Sequence, residues 1–263
     1  MIKDGRRHPL LVSLRGLSAA ACACLLLACA SPGPTPQPEP GRAHPGPASV
    51  PHTVALLGAS GMVGGYLLRE ALYRGYDVRA LARTPAKLDE FRNRITIIQG
   101  DARDPEVIAK LLQGSDVVIS ALGPVKADGD AARFISTHVT RSILHAMEER
   151  ENSRYMIVSG AAVVIPGDKR NLLGWWIRKL AQISLRDTLR DKQAEYDLLA
   201  DSSADWILVR CPLIEPQPFR SAPASSLETP PTFRLRAAEL ARFMIDQIDS
   251  REFVRQGPFL GSY

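Results

Sequence analysis

The chain has 263 residues, of which 45% are hydrophobic and 23% are charged. These values are near the average for globular proteins and exclude a wholly disordered chain, and the length suits one or two α/β domains. Four cysteines are too few for a disulfide scaffold. The formal net charge of +5 favours a nucleic-acid or anionic membrane partner only if that charge belongs to the folded part.

The first 29 residues have the pattern of an export signal. Arginines at positions 6, 7 and 15 precede an apolar run at 17–28, which is shorter than the roughly 20 residues of a membrane-spanning helix. The tetrapeptide that ends at Cys29 resembles a bacterial lipobox, in which the cysteine is acylated and becomes the new N-terminus. We therefore expect residues 1–29 to be a lipoprotein-type signal peptide. Cys29 would then anchor the protein to a membrane on its periplasmic or extracytoplasmic side.

Other interpretations of this segment stay open. An apolar signal that merely contains cysteines is one, since Cys22 and Cys24 lie in the same run. A partial match to a twin-arginine export signal at 6–11 is another, and that route exports proteins already folded. A cytoplasmic location is the alternative to export.

Residues 30–51 are rich in proline and predict an extended linker that cannot pack a core. Five of the 33 lysines and arginines and two of the 28 acidic residues precede His52. The part that follows therefore carries 28 cations and 26 anions, a net charge of +2. A nearly neutral body argues against a nucleic-acid partner.

From residue 52 onward, short apolar runs alternate with helical stretches. This alternation predicts one α/β domain over 52–263, with a doubly wound parallel Rossmann sheet and right-handed crossovers. The predicted strands lie at 53–57, 77–82, 95–98, 116–120, 155–158 and 206–209, and the predicted helices at 66–74, 105–112, 131–150, 187–200 and 237–248.

A glycine pattern G-x-x-G-x-x-G lies between the first strand and the first helix. Glycine permits the sharp turn, the close approach of a pyrophosphate and the tight packing of helix on strand that a dinucleotide site needs. The free amides at the helix start would face the phosphates. The predicted cofactor-binding residues of this loop are Gly58, Ser60, Gly61, Met62, Val63 and Gly64.

The end of the second strand indicates which dinucleotide is bound. An acidic residue there binds the ribose of NAD, whereas an arginine suits the 2′-phosphate of NADP. Arg83 follows the strand and Lys87 lies one turn further, so NADP(H) is favoured; the alternative is a solvated basic loop. Further cofactor contacts are predicted after the third and fourth strands, at Asp101, Ala102, Ala121, Leu122 and Gly123. Asp101 could equally cap a turn.

Together, these motifs resemble the atypical short-chain dehydrogenase/reductase group. Its NmrA-like NAD(P)H-binding members and the flavin reductase/biliverdin reductase B type are the most similar. The resemblance covers about residues 53–263 and implies a Rossmann fold, NADPH, and hydride transfer to flavins or linear tetrapyrroles. Other members bind the cofactor without known catalysis. The motifs that carry it are 58–64, 83–87, 100–101, 120–123 and 206–212.

The catalytic residues are less clear than the cofactor site. The Tyr-x-x-x-Lys motif of ordinary short-chain dehydrogenases is absent, because Thr188 stands four residues before Lys192. Lys192 and Tyr196 share the inward stripe of one predicted helix, and Ser159 ends the fifth strand. These three are the predicted catalytic residues. The alternative is that Tyr196 belongs to the core and Lys192 snorkels to solvent.

In the biliverdin-reductase-like pattern, the position of Tyr196 holds a proposed active-site histidine. A substrate-side serine of the flavin-reductase-like pattern stands where this chain has Gly160. Both departures bear on the tetrapyrrole reaction that the resemblance implies.

The sequence thus predicts an NADPH-binding oxidoreductase that reduces a small-molecule acceptor resembling a flavin, a quinone or a tetrapyrrole. The alternative is a non-catalytic NADP-binding sensor or regulatory module tethered to a membrane. No metal site is expected, because His138 and His145 lie near no other convincing ligand. An apolar, aromatic and basic segment at 171–180 is a candidate lid, a membrane contact or a packed insertion.

Overall fold

The central sheet has eight strands in the order β3-β2-β1-β4-β5-β6-β10-β8. The computed structural model describes residues 52–125, 128–130, 133–148, 154–169, 178–179, 183 and 185–263. Neighbouring strands are parallel except for β8, which runs antiparallel to β10 at one edge. The strands of this sheet are β1 (Thr53–Leu57), β2 (Asp77–Ala82), β3 (Thr96–Gln99), β4 (Val117–Ser120), β5 (Arg154–Gly160), β6 (Asp205–Cys211), β8 (Ala224–Ser226) and β10 (Phe259–Gly261).

Helices cover both faces of the sheet, as in a doubly wound fold. The helices are α1 (Met62–Tyr73), α2 (Pro105–Leu112), α3 (Ile135–Glu148), α4 (Arg186–Asp201) and α5 (Ala237–Asp246). α1 packs against α5 on one face, while α3 packs against α2 and α4 on the other. The single α/β domain with a mostly parallel Rossmann-like sheet confirms the predicted fold class.

β1 shows why its sequence forms a central strand. Val54 and Leu56 belong to the hydrophobic core under α1 and α5, and Ala55 and Leu57 belong to the core under α2, α3 and α4. All four side chains are at most 1% exposed. A strand buried on both faces has no polar positions to alternate with, so its sequence is continuously apolar.

The predicted elements are all present, and the structure adds several that the sequence did not indicate. A 3₁₀ helix spans Pro85–Phe91, and the short strands β7 (Leu213–Glu215) and β9 (Arg234–Arg236) form a second, two-stranded sheet. α1 begins at Met62, four residues before its predicted start, which shortens the glycine loop.

Several predictions lie outside the described residues. These are the signal peptide with Cys29, the linker 30–51, and most of the segment 171–180, of which the structure describes residues 178 and 179. Among the helices that are described, none combines the length and the hydropathy that crossing a bilayer requires.

Candidate functional site

The glycine loop turns the chain from β1 into α1. Gly58 has φ +82°, a conformation that side chains with a Cβ rarely adopt, and its carbonyl accepts the Gly61 N–H at 2.9 Å. A Cβ on Gly64 would lie 1.9 Å from the Gly58 carbonyl oxygen, and a Cβ on Gly58 would lie 2.8 Å from that of Ala121. The two glycines therefore let α1, the loop and the end of β4 approach one another closely.

The N-terminus of α1 offers unpaired amides to a ligand. Gly61 is the N-cap and makes no side-chain capping bond, and the first turn holds no acidic residue. The Gly65 N–H donates to the Gly61 carbonyl at 2.8 Å, so the amides of residues 62–64 precede the first intrahelical bond. Ser60 and Gly61 are exposed. An uncapped helix start with free amides and a positive dipole end fits a bound pyrophosphate.

Val63 and Met62 take different places in this loop. The Val63 side chain is buried in the core beneath the loop and Met62 is half-buried. Val63 can therefore face a ligand only with its backbone, whereas Met62 can also contact a ligand with its side chain.

Arg83 lies at the end of β2 as predicted, and it already has an anionic partner. Its Nη1 donates to both carboxylate oxygens of Asp128, at 2.7 and 2.8 Å. The Asp128 side chain is largely buried, and that of Arg83 is half-exposed. Lys87 is exposed on the 3₁₀ helix, and no carboxylate of the described residues lies within 4 Å of its ammonium. Sequence reasoning missed Asp128, which is 45 residues from Arg83 in the chain.

Asp101 follows β3 and binds Arg103. Its carboxylate accepts the Arg103 N–H and Nε–H, each at 2.9 Å. The side-chain hydrogen bond from Arg103 is the main reason why the pKa of Asp101 falls to about 2. Asp101 thus caps a turn, which was one of its two predicted roles, and keeps the Arg103 cation near Arg83. Ala102 is buried beside it.

The loop after β4 lies next to the glycine loop. The Ala121 N–H donates to the Leu57 carbonyl at 3.0 Å, which ties the ends of β4 and β1 together. The carbonyl of Leu122 lies 3.5 Å from the Lys192 ammonium on α4. The predicted contacts Ala121, Leu122 and Gly123 are all half-buried along this loop.

Two of the three predicted catalytic residues, Ser159 and Lys192, lie near the carboxyl ends of β5 and β4. Ser159 is 5% exposed on β5, and its Oγ has no hydrogen-bond partner among the described residues. The Lys192 side chain is 10% exposed and its Nζ donates to Glu195 at 2.9 Å. Lys192 therefore does not snorkel to solvent. A buried hydroxyl with no partner costs free energy, so Ser159 Oγ keeps an unused hydrogen bond near the end of β5.

Tyr196 lies one helical turn beyond Lys192 and has a different setting. Its ring meets that of Trp206 edge-on, with 6.0 Å between centroids. Trp206 on β6 is the cross-strand neighbour of Tyr155 on β5, and Tyr155 lies four residues before Ser159. Burial raises the pKa of the Tyr196 hydroxyl, which makes it a poorer acid. The half-buried Tyr196 side chain packs against the core, and its place in the acceptor pocket stays a prediction.

A buried polar chain extends from Lys192 into the sheet. Glu195 accepts from Lys192, and its second oxygen accepts from Thr140 Oγ1 at 3.2 Å. Thr140 Oγ1 lies 2.9 Å from the Tyr155 hydroxyl. Burial raises the pKa of Glu195, and Lys192 opposes that shift. The i,i+3 spacing of lysine and glutamate on the inward stripe was the available signal for this pair.

The two helical histidines make contacts unrelated to metal binding. His138 Nε2 lies 3.0 Å from the Arg103 carbonyl, and His145 Nδ1 lies 3.7 Å from Glu148. Within the part of the chain that the structure describes, no group of three or more histidine, cysteine or acidic residues could hold a metal ion.

Known proteins share this architecture. ChuY, an anaerobillin reductase from Escherichia coli O157:H7, is 18% identical, with a TM-score of 0.65 over 79% of this chain and 95% of its own. A short-chain dehydrogenase/reductase from Veillonella parvula, in complex with NADP, is 17% identical, with a TM-score of 0.65 over 80% and 94%. A Burkholderia pseudomallei protein described as exported is 25% identical, with a TM-score of 0.59 over 80% and 100%.

Sequence matches among curated proteins are partial. A 3β-hydroxysteroid dehydrogenase/Δ5→4-isomerase from Mycobacterium tuberculosis is 28% identical over 130 residues, which are 46% of this chain and 34% of that protein. The chain thus spans about a third of the length of this relative. The NAD(P)H-binding family matches residues 58–251, which include the glycine loop, Arg83, Ser159 and Lys192. The chain therefore belongs to the NAD(P)H-binding family.

Proposed function

We propose that this protein is an NADPH-dependent reductase that transfers a hydride to a conjugated small molecule resembling a flavin, a quinone or a tetrapyrrole. The observation that carries the proposal is the buried, unpartnered hydroxyl of Ser159 at the end of β5, where ligands bind in parallel α/β sheets. ChuY, a reductase by its description, has the same fold and supports a reductive role.

The preference for NADPH over NADH rests on the charges at the end of β2. Arg83 and Lys87 are cationic side chains on the same short segment, and β2 ends in Ala82 without an acid. A guanidinium can hold a phosphate through two parallel hydrogen bonds. The Veillonella parvula neighbour was solved with NADP, which is consistent with this choice.

The bound nicotinamide supplies the hydride, so the protein's task is to bind, orient and shield the reactants. The α1 amides would hold the pyrophosphate, and Ser159 Oγ would donate a hydrogen bond to the acceptor. Lys192 touches the Leu122 carbonyl and so positions the loop after β4. In this scheme Tyr196 is not used as an acid, and the reduced acceptor takes its proton from water.

The test is NADPH oxidation by the purified full-length chain with one flavin, one quinone and one linear tetrapyrrole. Ser159→Ala should lower kcat about five- to tenfold, the equivalent of one hydrogen bond, and leave the Kd for NADPH unchanged. Ser142→Ala is the matched control, because the Ser142 hydroxyl bonds to the His138 carbonyl of its own helix. An unchanged kcat in Ser159→Ala would remove Ser159 from the reaction.

A non-catalytic NADP-binding module is the second candidate, and one observation favours it. Lys192 is bound to Glu195 and Tyr196 packs against Trp206, so neither resembles the free proton donor of ordinary short-chain dehydrogenases. A wild-type chain that binds NADPH tightly yet oxidises it with none of the three acceptors would establish this candidate.

We also propose that Cys29 is acylated and tethers the domain outside the cytoplasm. The pattern of residues 17–29 supports this, as does the exported Burkholderia pseudomallei neighbour. Mass spectrometry of the native protein should find Cys29 as an acylated N-terminus, with NADP(H) retained from the cytosol. An unprocessed N-terminus at Met1 would refute the tether and leave the enzymatic proposal intact.

A further inference from the structure

A cavity of about 350 Å³ opens between the segment after β5 and the first turns of α4. We infer that it binds the oxyanion, a carboxylate or a phosphate, of the electron acceptor. This inference rests on the proposed reductase function and names the class of its substrate. The cavity is lined by Ala162, Arg178, Arg186, Leu189, Arg190 and Gln193.

The cavity wall is one face of α4. Arg186, Leu189, Arg190 and Gln193 recur at the i, i+3, i+4 and i+7 spacing that places side chains above one another on a helix. α4 begins at Arg186, and its N-cap Leu185 makes no side-chain capping bond. The positive end of the helix dipole therefore adds to the charge of two arginines that are neighbours on the same face.

These two arginines lack the carboxylate partners that other arginines of this chain have. Arg69, Arg83 and Arg133 each lie within 3 Å of an aspartate or glutamate oxygen. Among the described residues, no carboxylate lies within 4 Å of the guanidinium of Arg186 or Arg190, although both are exposed.

The two acids next to them in the chain, Asp187 and Asp191, are already engaged. Asp191 accepts the backbone N–H groups of Ser136 and Thr137 at 3.0 and 2.8 Å. Asp187 in the first turn of α4 accepts from Arg133 Nη2 at 2.7 Å, so its charge is balanced from another element. The cavity therefore keeps an excess of positive charge.

The segment after β5 forms the opposite wall of the cavity, and Gln193 of α4 holds this segment in place. The Gln193 side-chain amide accepts from the Val164 N–H at 3.0 Å and donates to the Val164 carbonyl at 3.1 Å. Ala162, which lines the cavity, stands three residues after Ser159, so the two backbones are at most about 11 Å apart. An acceptor can thus meet Ser159 with its reducible part while a flexible arm reaches the arginines.

The arginines select the chemistry of that arm. The planar fork of a guanidinium matches two oxygens of a carboxylate or phosphate, and Leu189 and Ala162 offer apolar surface to the carbon chain that carries it. We therefore expect the preferred acceptors to be conjugated acids: the free acid of a linear tetrapyrrole rather than its ester, and FMN rather than riboflavin.

The experiment compares acidic and neutral forms of the same acceptor on the full-length chain without NADPH. Tryptophan fluorescence gives the Kd of biliverdin and its dimethyl ester, and of FMN and riboflavin. The double variant R186Q/R190Q should weaken the binding of the preferred acid tenfold or more. It should weaken the binding of the neutral form less than twofold. R141Q removes one exposed arginine from α3 and is the control. The Kd for NADPH, measured separately, should stay unchanged in all variants.

Biliverdin and its dimethyl ester test a carboxylate as the bound group, and FMN and riboflavin test a phosphate. A wild-type chain that does not bind at least one acid more tightly than its neutral form overturns the inference, as does an acid preference that survives in R186Q/R190Q. If the arginine-dependent preference is present but no acceptor is reduced by NADPH, the cavity assignment stands and the reductase proposal fails.

Discussion

Arg83 forms an ion pair with Asp128, and it is also the residue that we predict to bind the 2′-phosphate of NADPH. The Asp128 carboxylate fixes the guanidinium at the end of β2 and occupies Nη1, one of the donors that a 2′-phosphate would use. A phosphate dianion carries more charge than one carboxylate, so we expect NADPH to compete for Arg83 successfully. Asp128 then lowers the affinity for NADPH by the free energy of breaking the pair.

Arg83→Gln should weaken NADPH binding about 10- to 100-fold and change NADH binding little, because only NADPH carries the phosphate. Asp128→Asn should strengthen NADPH binding a few-fold by releasing Arg83. Fluorescence titration with both cofactors checks these changes, and Arg92→Gln, which breaks the exposed pair with Asp89, is the control. Equal losses for NADPH and NADH in Arg83→Gln would mean that Arg83 does not read the phosphate.

Two adjacent glycines of α1 offer a matched test of the loop packing. A Cβ on Gly64 would meet the Gly58 carbonyl oxygen at 1.9 Å, whereas a Cβ on Gly65 would make ordinary contacts with the flexible Arg69 side chain at 3.4 Å and the Ala59 carbonyl oxygen at 3.9 Å. We expect Gly64→Ala to lower the free energy of unfolding by about 1–3 kcal/mol. Gly65→Ala should raise it by up to about 1 kcal/mol through helix propensity. Urea unfolding of both variants decides, and equal effects would contradict the observed packing.

The elements of this fold differ in how much their sequences reveal. β1, β2 and α2 were predicted with their observed bounds, because each has a continuous apolar run or a clear helical period with an N-cap such as Asp104. β8 and β10 have three residues each, too few for any periodicity, and sequence reasoning missed them. Strands this short, at the sheet edge (β8) or next to it (β10), depend on their neighbours in the sheet.

The residues of the candidate site also differ in how much the local sequence reveals about them. The glycine loop and Arg83 lie after β1 and β2, where local sequence predicts them, and their contacts with the cofactor stay predictions. Asp128 was missed, as was Asp191, whose carboxylate accepts the backbone N–H groups of Ser136 and Thr137 at 3.0 and 2.8 Å and so caps α3 from α4. Both partners are more than 40 residues away, and local patterns carry no information about such contacts.

A buried ion pair fastens the segment after β5 to the sheet. Arg210 on β6 is 1% exposed, and its Nη1 donates to both oxygens of Asp168 at 2.7 and 2.8 Å. Arg210 also donates to the Gly257 carbonyl and stacks on the Phe259 ring. One side chain thus connects β6, β10 and the segment that leads towards the acceptor cavity.

Asp168→Asn should lower the free energy of unfolding by about 3–5 kcal/mol, because it leaves the Arg210 charge buried without its anion. The neighbouring exposed pair of Lys169 and Glu228 is the control, and Lys169→Gln should cost less than about 1 kcal/mol. Chemical denaturation of the two variants measures both effects. A cost below that of Lys169→Gln would show that the buried pair does not hold the segment.

At the scale of the whole molecule, the predicted cofactor-binding residues lie at the carboxyl ends of neighbouring strands in one continuous sheet. The glycine loop lies after β1, Arg83 after β2, the Ala121 loop after β4 and Ser159 at the end of β5. These strands are neighbours in the order β2-β1-β4-β5, so one ligand bound along their ends would touch loops from both halves of the sheet. Ligand binding and global unfolding should therefore be coupled.

Scanning calorimetry of the full-length chain should show one unfolding transition that shifts as a unit when NADPH is added. At 100 times its Kd, NADPH should add about 2.7 kcal/mol of stability, which corresponds to roughly 5–10 °C for a domain of this size. Under the same NADPH concentration, Arg83→Gln should shift less than wild type, because its Kd is higher. Two transitions, of which one ignores NADPH, would mean that β6, β10 and β8 unfold separately from the half of the sheet that binds the cofactor.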